Sequence, residues 1–359
     1  MKKKKIKILY IIDGLFPGGK ERQFIEILKG LDREEFTIGI VTFNRDLFYS
    51  KQAKELSDYF VELDKRKNKF KPFITIWKCF THFKPDLVHT WDYLSSLYSY
   101  FPAKFSGSKF INGSIRDSGT EKGWQNLVKK IMLRISDLVI ANSLAGLKNY
   151  GVNKGEVIYN AVDLNRFLPK HQNEEFNVIM VANFSDYKDH NTFTLAAIQL
   201  VKNGIVDKVY YAGDGKFRSK YEQMVGNEMP GETNQFVFLG AIANVEEILQ
   251  NCEVGVLCST LKYSEGISNS VLEYMAASLV PVVTNIGGSS EIINNTLNGF
   301  LINAESVDEI ISKVKLVKSD KEIRDKIIFE ARKTIEEKFN YKNNLIKLVD
   351  IYKRLIHYS

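Results

Sequence analysis

The sequence predicts an α/β chain of two doubly wound domains, each a parallel sheet covered by helices on both faces. Three observations carry that reading. Short apolar runs rich in β-branched residues alternate with longer segments of helical period, the signature of βαβ units. The pattern runs through the first half and restarts in the second. A length of 359 residues suits two cores of about 150 residues each better than one.

In the first half the strand candidates are residues 7–12 (KILYII), 36–43 (FTIGIVTF), 59–63, 86–90 (DLVHT), 109–113 and 137–141 (DLVIA), with helices between them, notably 20–31 and 124–135. In the second half they are 177–182 (NVIMVA), 208–212 (KVYYA), 235–239 (QFVFL), 253–257 (EVGVL), 280–284 (VPVVT) and 299–302. The turn-rich stretch 160–175, with Pro169 and several Asn, predicts the join. Over 341–358, Leu345, Leu348, Val349, Tyr352, Leu355 and Ile356 fall on one helical face, so a terminal helix is expected to pack back across the domains. The expected domains are therefore 1–165, completed by 341–359, and 166–340.

Composition narrows the function. Apolar residues at 44% and charged residues at 26% are globular values and exclude a disordered or fibrous chain. The net charge of +7 sits partly in Met1–Lys7. The arginines are scattered and lack the aromatic interleaving that a basic nucleic-acid-binding protein, the alternative from another class, would need. Three cysteines without a C-x-x-C pair predict a reducing, cytoplasmic setting. The opening MKKKKIKILYIIDG reads as a first buried strand rather than a signal peptide: Lys7 interrupts the apolar run, Asp13 ends it, and no small-residue cleavage site follows. No run of 18 apolar residues occurs, so no bilayer span is expected.

Gly14, Gly19 and Lys20 have the G-x-x-x-x-G-K spacing of a phosphate-binding P-loop, but the next residue is Glu21. A Walker loop needs a hydroxyl there to hold Mg²⁺, and a carboxylate repels phosphate. What survives is a glycine turn, Gly18 and Gly19, whose backbone can approach an acceptor or phosphate at a helix start, or simply close a tight turn. His82, His89, His171, His190 and His357 show no H-E-x-x-H spacing, and no D-x-D pair is present, so metal-independent chemistry is expected. There is no G-x-S-x-G nucleophile elbow.

The most informative segment is 253–301, EVGVLCSTLKYSEGISNSVLEYMAASLVPVVTNIGGSSEIINNTLNGFL. A buried strand enters a polar loop, and Glu265-Gly266 opens a helix with Ser268 and Asn269 at its start and Glu273 inside it. Both carboxylates can then border one cleft at the carboxyl ends of the strands, where open α/β sheets bind ligands. The amides from Gly266 to Ser270, at the positive end of the helix dipole, suit a diphosphate. A capped surface helix with two solvated glutamates is the alternative.

Glu265 and Glu273 in an E-x7-E pair, followed by VPVVTNIGGSSEII and NGFLI, resemble the donor-binding half of the retaining glycosyltransferases of family 4, which have the two-domain GT-B fold. PGGKERQFIEILKGL, PDLVHTWD, SDLVIANS, VIYNAVDLNRF, VANFSDYKDHNTF, YYAGDGK and FVFLGAIANVEEILQNCEVGVL resemble the same family in the same order. The resemblance implies two Rossmann-like domains facing each other across a cleft, with the acceptor on the first and a nucleotide-sugar donor, UDP- or GDP-linked, on the second. It implies no cofactor beyond that co-substrate.

By the same resemblance Glu273 receives the ribose hydroxyls, Glu265 lies beside the transferred sugar, and Lys188 neutralises the diphosphate. Gly266, Ile267, Ser268, Asn269 and Gly213 line the donor. Two positions depart from the family pattern: Asn183 stands where many members have an arginine, and Arg116 where many have a histidine. A guanidinium cannot act as a base, so Arg116 would serve electrostatically, with His89 a candidate substitute or a structural histidine. The implied reaction moves a sugar with retention to a glycan, often lipid-linked. An epimerase or phosphorylase of the same fold is the alternative. A soluble enzyme peripheral to the inner membrane face is expected if the acceptor is a lipid. Lys65, Arg66, Lys67, Lys69 and Lys71 lead into Phe73, Ile74, Trp77 and Phe80 at helical spacing, a face that lies at an anionic interface or packs on the first sheet.

Overall fold

The computed structural model describes residues 4–64, 71–117, 123–167, 175–242, 244–262 and 265–357. The chain divides into unit 1, Met1–Tyr159 with Lys342–Ser359, and unit 2, Asn160–Tyr341. Unit 1 runs β1 (Ile6–Ile12), α1 (Gly19–Gly30), β2 (Phe36–Thr42), α2 (Ser50–Glu55), β3 (Tyr59–Glu62), α3 (Lys71–Phe83), β4 (Leu87–Thr90), α4 (Tyr93–Ser106), β5 (Lys109–Ile115), α5 (Trp124–Ile135), β6 (Leu138–Ala141), α6 (Leu144–Asn149) and β7 (Gly155–Val157). Unit 2 runs β8 (Val178–Val181), α7 (His190–Lys202), β9 (Val209–Ala212), α8 (Arg218–Glu228), β10 (Phe236–Gly240), α9 (Val245–Leu249), β11 (Val254–Leu257), α10 (Asn269–Ala276), β12 (Val280–Thr284), α11 (Ser289–Ile292), β13 (Phe300–Ile302), α12 (Val307–Ser319) and α13 (Lys321–Lys338). The last helix, α14 (Tyr341–His357), returns to unit 1.

Both sheets are parallel, ordered β3-β2-β1-β4-β5-β6-β7 and β10-β9-β8-β11-β12-β13. Their strand order reverses between β1 and β4 in unit 1 and between β8 and β11 in unit 2. A crevice for ligands opens at such a point beyond the carboxyl ends of the strands. The edge strand β7 escaped the sequence reading because GEV is too short to carry a period.

The join lies at Tyr159–Asn160 instead of after 165. The Asn160 side chain donates to the Ile267 carbonyl (2.8 Å), and the Val162 amide donates to Phe339 (3.0 Å), so residues 160–162 are tied into unit 2. Pro169 lies outside the described residues.

In β1 successive side chains alternate between two cores. Ile8, Tyr10 and Ile12 enter one together with Leu348, Ile351 and Tyr352 of α14, while Leu9 and Ile11 enter the other with Ile76, Cys79, Phe80 and Phe83 of α3. This corrects the expectation for α3: Phe80 packs on the sheet, whereas Phe73 and Ile74 are exposed. Lys65, Arg66, Lys67 and Lys69 lie outside the described residues, as does the Lys71 side chain.

The Tyr352 hydroxyl bonds to the Tyr10 hydroxyl (3.0 Å) and to His89 Nδ1 (2.7 Å) inside the first core. Tyr352→Phe removes that partner from two buried polar groups and is expected to cost about 1–3 kcal/mol. A urea midpoint that does not move would show that these bonds do not support the docking of α14.

Candidate active site

In unit 2 the site forms where the loops after β8, β11 and β12 meet. The loop after β8 is laid against the end of β11: Lys188 bridges Ser259, the Asp189 amide donates to Cys258 (3.1 Å), and the Thr260 amide donates to Tyr187 (3.0 Å). Asp189 then caps α7, accepting from the Thr192 amide (3.0 Å) and hydroxyl (2.5 Å). Fixed by these bonds, Lys188 sends Nζ to Glu265 Oε2 at 2.5 Å. The lysine side chain is 8% exposed and the glutamate 34%, so a largely enclosed cation meets solvent through a carboxylate. Burying a charge is costly unless it is paired, and Glu265 supplies the pair.

Glu265 is positioned by a backbone approach that only glycine allows. Its carbonyl accepts from the Gly288 amide (3.0 Å), and a Cβ on Gly288 would lie 2.3 Å from the Gly266 carbonyl oxygen. The first turn of α10 follows, with Ser268 as N-cap, whose hydroxyl makes no capping bond among the described residues. One donor requirement of the helix start is thereby left to another acceptor. Ile267 is buried and Asn269 opens the helix.

Two side chains one turn apart clamp α10 to β8. The Ser270 hydroxyl donates to the Val181 carbonyl (2.7 Å), and the Tyr274 hydroxyl accepts from the Val181 amide (2.7 Å) while donating to Val256 (3.2 Å). Glu273, between them in sequence, is 2% exposed. The picture of two solvated glutamates on a surface helix is therefore overturned for this one. Sequence reasoning named the Ser270 amide but missed its hydroxyl clamp, Tyr274 and Gly288, whose only signals were a hydroxyl pair at i, i+4 and a Gly-Gly after a strand.

Asn183 is exposed in the loop after β8. Gly213 has a second, structural task. Its amide donates to the Gly240 carbonyl (2.8 Å), and its φ of +148° brings its Cα against Ala182, so it braces the Asn183 loop.

His190, which opens α7, stacks on Phe184 with ring centroids 4.1 Å apart. Burial lowers its pKa from 6.5 to about 4. Burial, with Arg116 nearby, also holds His89 well below the usual imidazole range. Both rings are neutral in the folded protein, so between pH 6.5 and 4 the unfolded chain takes up the extra protons. Stability is then full above about pH 6.5 and falls as the pH drops, by about 3 kcal/mol at pH 4 from His190 alone. Urea midpoints that stay level between pH 7 and 4.5 would contradict this.

In unit 1 the loops after β1 and β4 carry a different cluster. Lys20 Nζ bonds to Asp13 (2.5 Å) and lies 3.5 Å from Glu21, while the Asp13 amide donates to Asp92 Oδ2 (2.7 Å). A Cβ on Gly18 would lie 2.4 Å from Glu21 Oε2. The start of α1 at Gly18 and Gly19 is thus covered by a carboxylate, whose pKa burial raises, and it is not an open phosphate loop. The Arg116 guanidinium stacks 3.9 Å above the Trp91 ring and donates from Nε to Gly113 (3.1 Å). Burial lowers its pKa to about 10, leaving it charged at neutral pH. His89 is buried, bonded to Tyr352 and packed against the Cα of Gly113, so it is a core residue and not a ligand or a replacement base.

Two family models match successive parts of the chain. Glycosyltransferase Family 4 matches residues 17–166 and glycosyl transferases group 1 matches residues 162–334. A UDP-Gal:alpha-D-GlcNAc-diphosphoundecaprenol alpha-1,3-galactosyltransferase of Escherichia coli is 24% identical over 390 aligned positions, covering 97% of both chains. The chain is a glycosyltransferase. An N,N'-diacetylbacillosaminyl-diphospho-undecaprenol alpha-1,3-N-acetylgalactosaminyltransferase of Campylobacter jejuni is 31% identical over 121 residues, 33% of this chain and 31% of that one. The crystal structure of Anabaena HepE in complex with UDP superimposes with a TM-score of 0.83 at 18% identity, covering 97% of this glycosyltransferase and all of HepE, and the fold is GT-B. Among the described residues of this glycosyltransferase no helix is long and apolar enough to cross a membrane.

Proposed function

We propose that the enzyme transfers a hexose from a UDP-sugar to a polyprenyl-diphosphate-linked glycan, with retention at the anomeric carbon. The observation that carries this reading is the Lys188–Glu265 pair, set beside the first turn of α10 where the strand order of unit 2 reverses. The polyprenyl acceptor is taken from the E. coli and C. jejuni relatives, whose names state undecaprenol-linked substrates. In this reading unit 2 binds the donor and unit 1 the acceptor.

The chemical demand is to stabilise a departing diphosphate and an electron-poor sugar carbon. Lys188 and the amides of Gly266, Ile267, Ser268 and Asn269 meet the phosphate charge. Glu265, drawn from Lys188 when the diphosphate arrives, turns to the sugar hydroxyls. Glu273 accepts from the ribose hydroxyls, as an acceptor-only group does. The bond from the anomeric carbon to the phosphate oxygen breaks, the acceptor oxygen bonds to the same face, and its proton passes to the leaving phosphate. Arg116 contributes charge and not proton transfer. No metal takes part in this scheme, and the enzyme works from the cytoplasmic side of a membrane that holds its acceptor.

Titration of UDP into the wild-type protein and into Glu273→Ala tests the assignment. The variant is expected to bind about ten- to a hundredfold more weakly, the worth of a charged hydrogen-bond acceptor. Equal affinity removes Glu273 from the donor site, and transfer lost in excess EDTA and restored by a divalent ion refutes the metal-free scheme.

A further inference from the structure

Helix α5 is apolar on two sides. Met132 and Leu133 are buried, yet Trp124, Leu127 and Ile131, at i, i+3 and i+7, form a second stripe in which the first two are 68% and 62% exposed. The neighbouring helices continue it. On α4, Phe101 and Phe105 are exposed, Phe105 at 77%, and on α3 so is Ile74. The three helices form one layer: the Trp77 ring of α3 lies 5.5 Å from the Phe105 ring, and the Tyr100 hydroxyl of α4 donates to the Ile135 carbonyl of α5 (3.3 Å). Scattered surface apolar residues need no explanation, but large ones gathered on adjacent helices mark an interaction site.

Charge selects the occupant. Over their full lengths α3, α4 and α5 carry six Lys and Arg and not one Asp or Glu, in a chain with 43 acidic residues. Lys129 turns inward to Asp117 and Lys104 pairs with Asp137, while Lys78 and Arg134 are exposed and Lys130 is half-buried. A second copy docked through the same patch would set these cations against their own kind. An anionic bilayer offers apolar depth for the aromatic stripe and negative headgroups for the basic residues beside it. We infer that the outer face of α3–α5 is the surface by which this enzyme lies on an anionic phospholipid membrane. The inference deepens the reading of a lipid-linked acceptor, because it names the part of unit 1 that brings the enzyme to that acceptor.

The test is sedimentation of the full chain with vesicles of phosphatidylcholine alone and of phosphatidylcholine mixed with phosphatidylglycerol. Wild-type protein is expected to pellet with the mixed vesicles, to be released as salt is raised, and to ignore the neutral ones. Lys130→Ser with Arg134→Ser should weaken binding about thirtyfold, the attraction of two basic residues near an anionic surface. Trp124→Ser with Phe105→Ser should abolish it. Unchanged thermal unfolding and UDP titration show that both variants are folded. Binding by either variant at the wild-type level overturns the surface, as does equal pelleting of wild type with both vesicles or with neither. A lipid-free wild-type dimer that Trp124→Ser with Phe105→Ser dissolves would also overturn it, because a second copy would then cover the face. Transfer to a short-chain, water-soluble diphosphate acceptor separates the two readings: the surface variants are expected to keep it, and its absence in a wild type that binds vesicles would count against the proposed acceptor alone.

Discussion

Lys188→Ala is expected to lower kcat for sugar transfer by at least about a hundredfold while leaving the fold intact. One preorganised donor to developing negative charge is worth about 2.7–4 kcal/mol in the transition state. Here the loss is compounded. Lys188 is held by the Ser259 bridge and by its bond to Glu265, so its removal also takes the neutralising cation from a carboxylate that, in the proposed reading, lies beside the diphosphate. That second effect is separable. Adding Glu265→Gln to Lys188→Ala removes the repulsion, so the double variant should be no worse in donor affinity than Lys188→Ala, and the double-mutant cycle should be non-additive. Lys188→Arg is expected to fail as a rescue, because a planar guanidinium does not fit the enclosed path of a side chain only 8% exposed. If Lys188→Ala turns over at the wild-type rate, the diphosphate is met by another cation and the site has been misassigned.

Gly213→Ala should be the most damaging of the small substitutions. A Cβ there would lie 2.1 Å from the Ala182 carbonyl oxygen, and the φ of +148° belongs to glycine almost alone. Neither problem yields to a rotamer change, since the obstacle is backbone at the end of β8. Overpacking costs about 1–3 kcal/mol and the disfavoured backbone a similar amount, so a loss of about 3 kcal/mol or more is expected. Relief requires the loop from Ala182 to Asp189 to move, which would carry Lys188 out of place. Donor affinity and the unfolding midpoint should therefore fall together. A variant with native stability but no UDP binding would instead place Gly213 in direct contact with the donor.

Much of the fold was legible because parallel strands buried on both faces are written as near-continuous apolar runs, as in ILYII and VGVL. β7 was not, because three residues at a sheet edge have neither length nor periodicity. In the candidate site, motifs name Lys188 and Glu265 separately, but nothing in their spacing tells that they touch: 77 positions separate them. Glu273 reads as a surface glutamate on any helical wheel, and its burial depends on how Ser270 and Tyr274 draw α10 onto β8. His89 and Gly18 misled for the opposite reason. Both stand where a ligand belongs in the chain order, yet Tyr352 occupies one and Glu21 covers the other, through contacts that no local pattern encodes.

The docking of α14 onto unit 1 has a consequence for biogenesis. Unit 2 is an unbroken stretch, Asn160–Tyr341, and can close as soon as it leaves the ribosome, whereas unit 1 lacks Leu348, Ile351 and Tyr352 until all of unit 2 has been made. About 180 residues separate the two parts of unit 1, and at roughly 5–20 residues per second the nascent chain carries that unfinished apolar face for about 10–40 s. Unit 1 is thus begun before unit 2 and completed after it, and it is the unit that holds newly made protein open to chaperones and to its neighbours on the same message. A ribosomal pause within unit 2 lengthens that interval, and one before β2 does not.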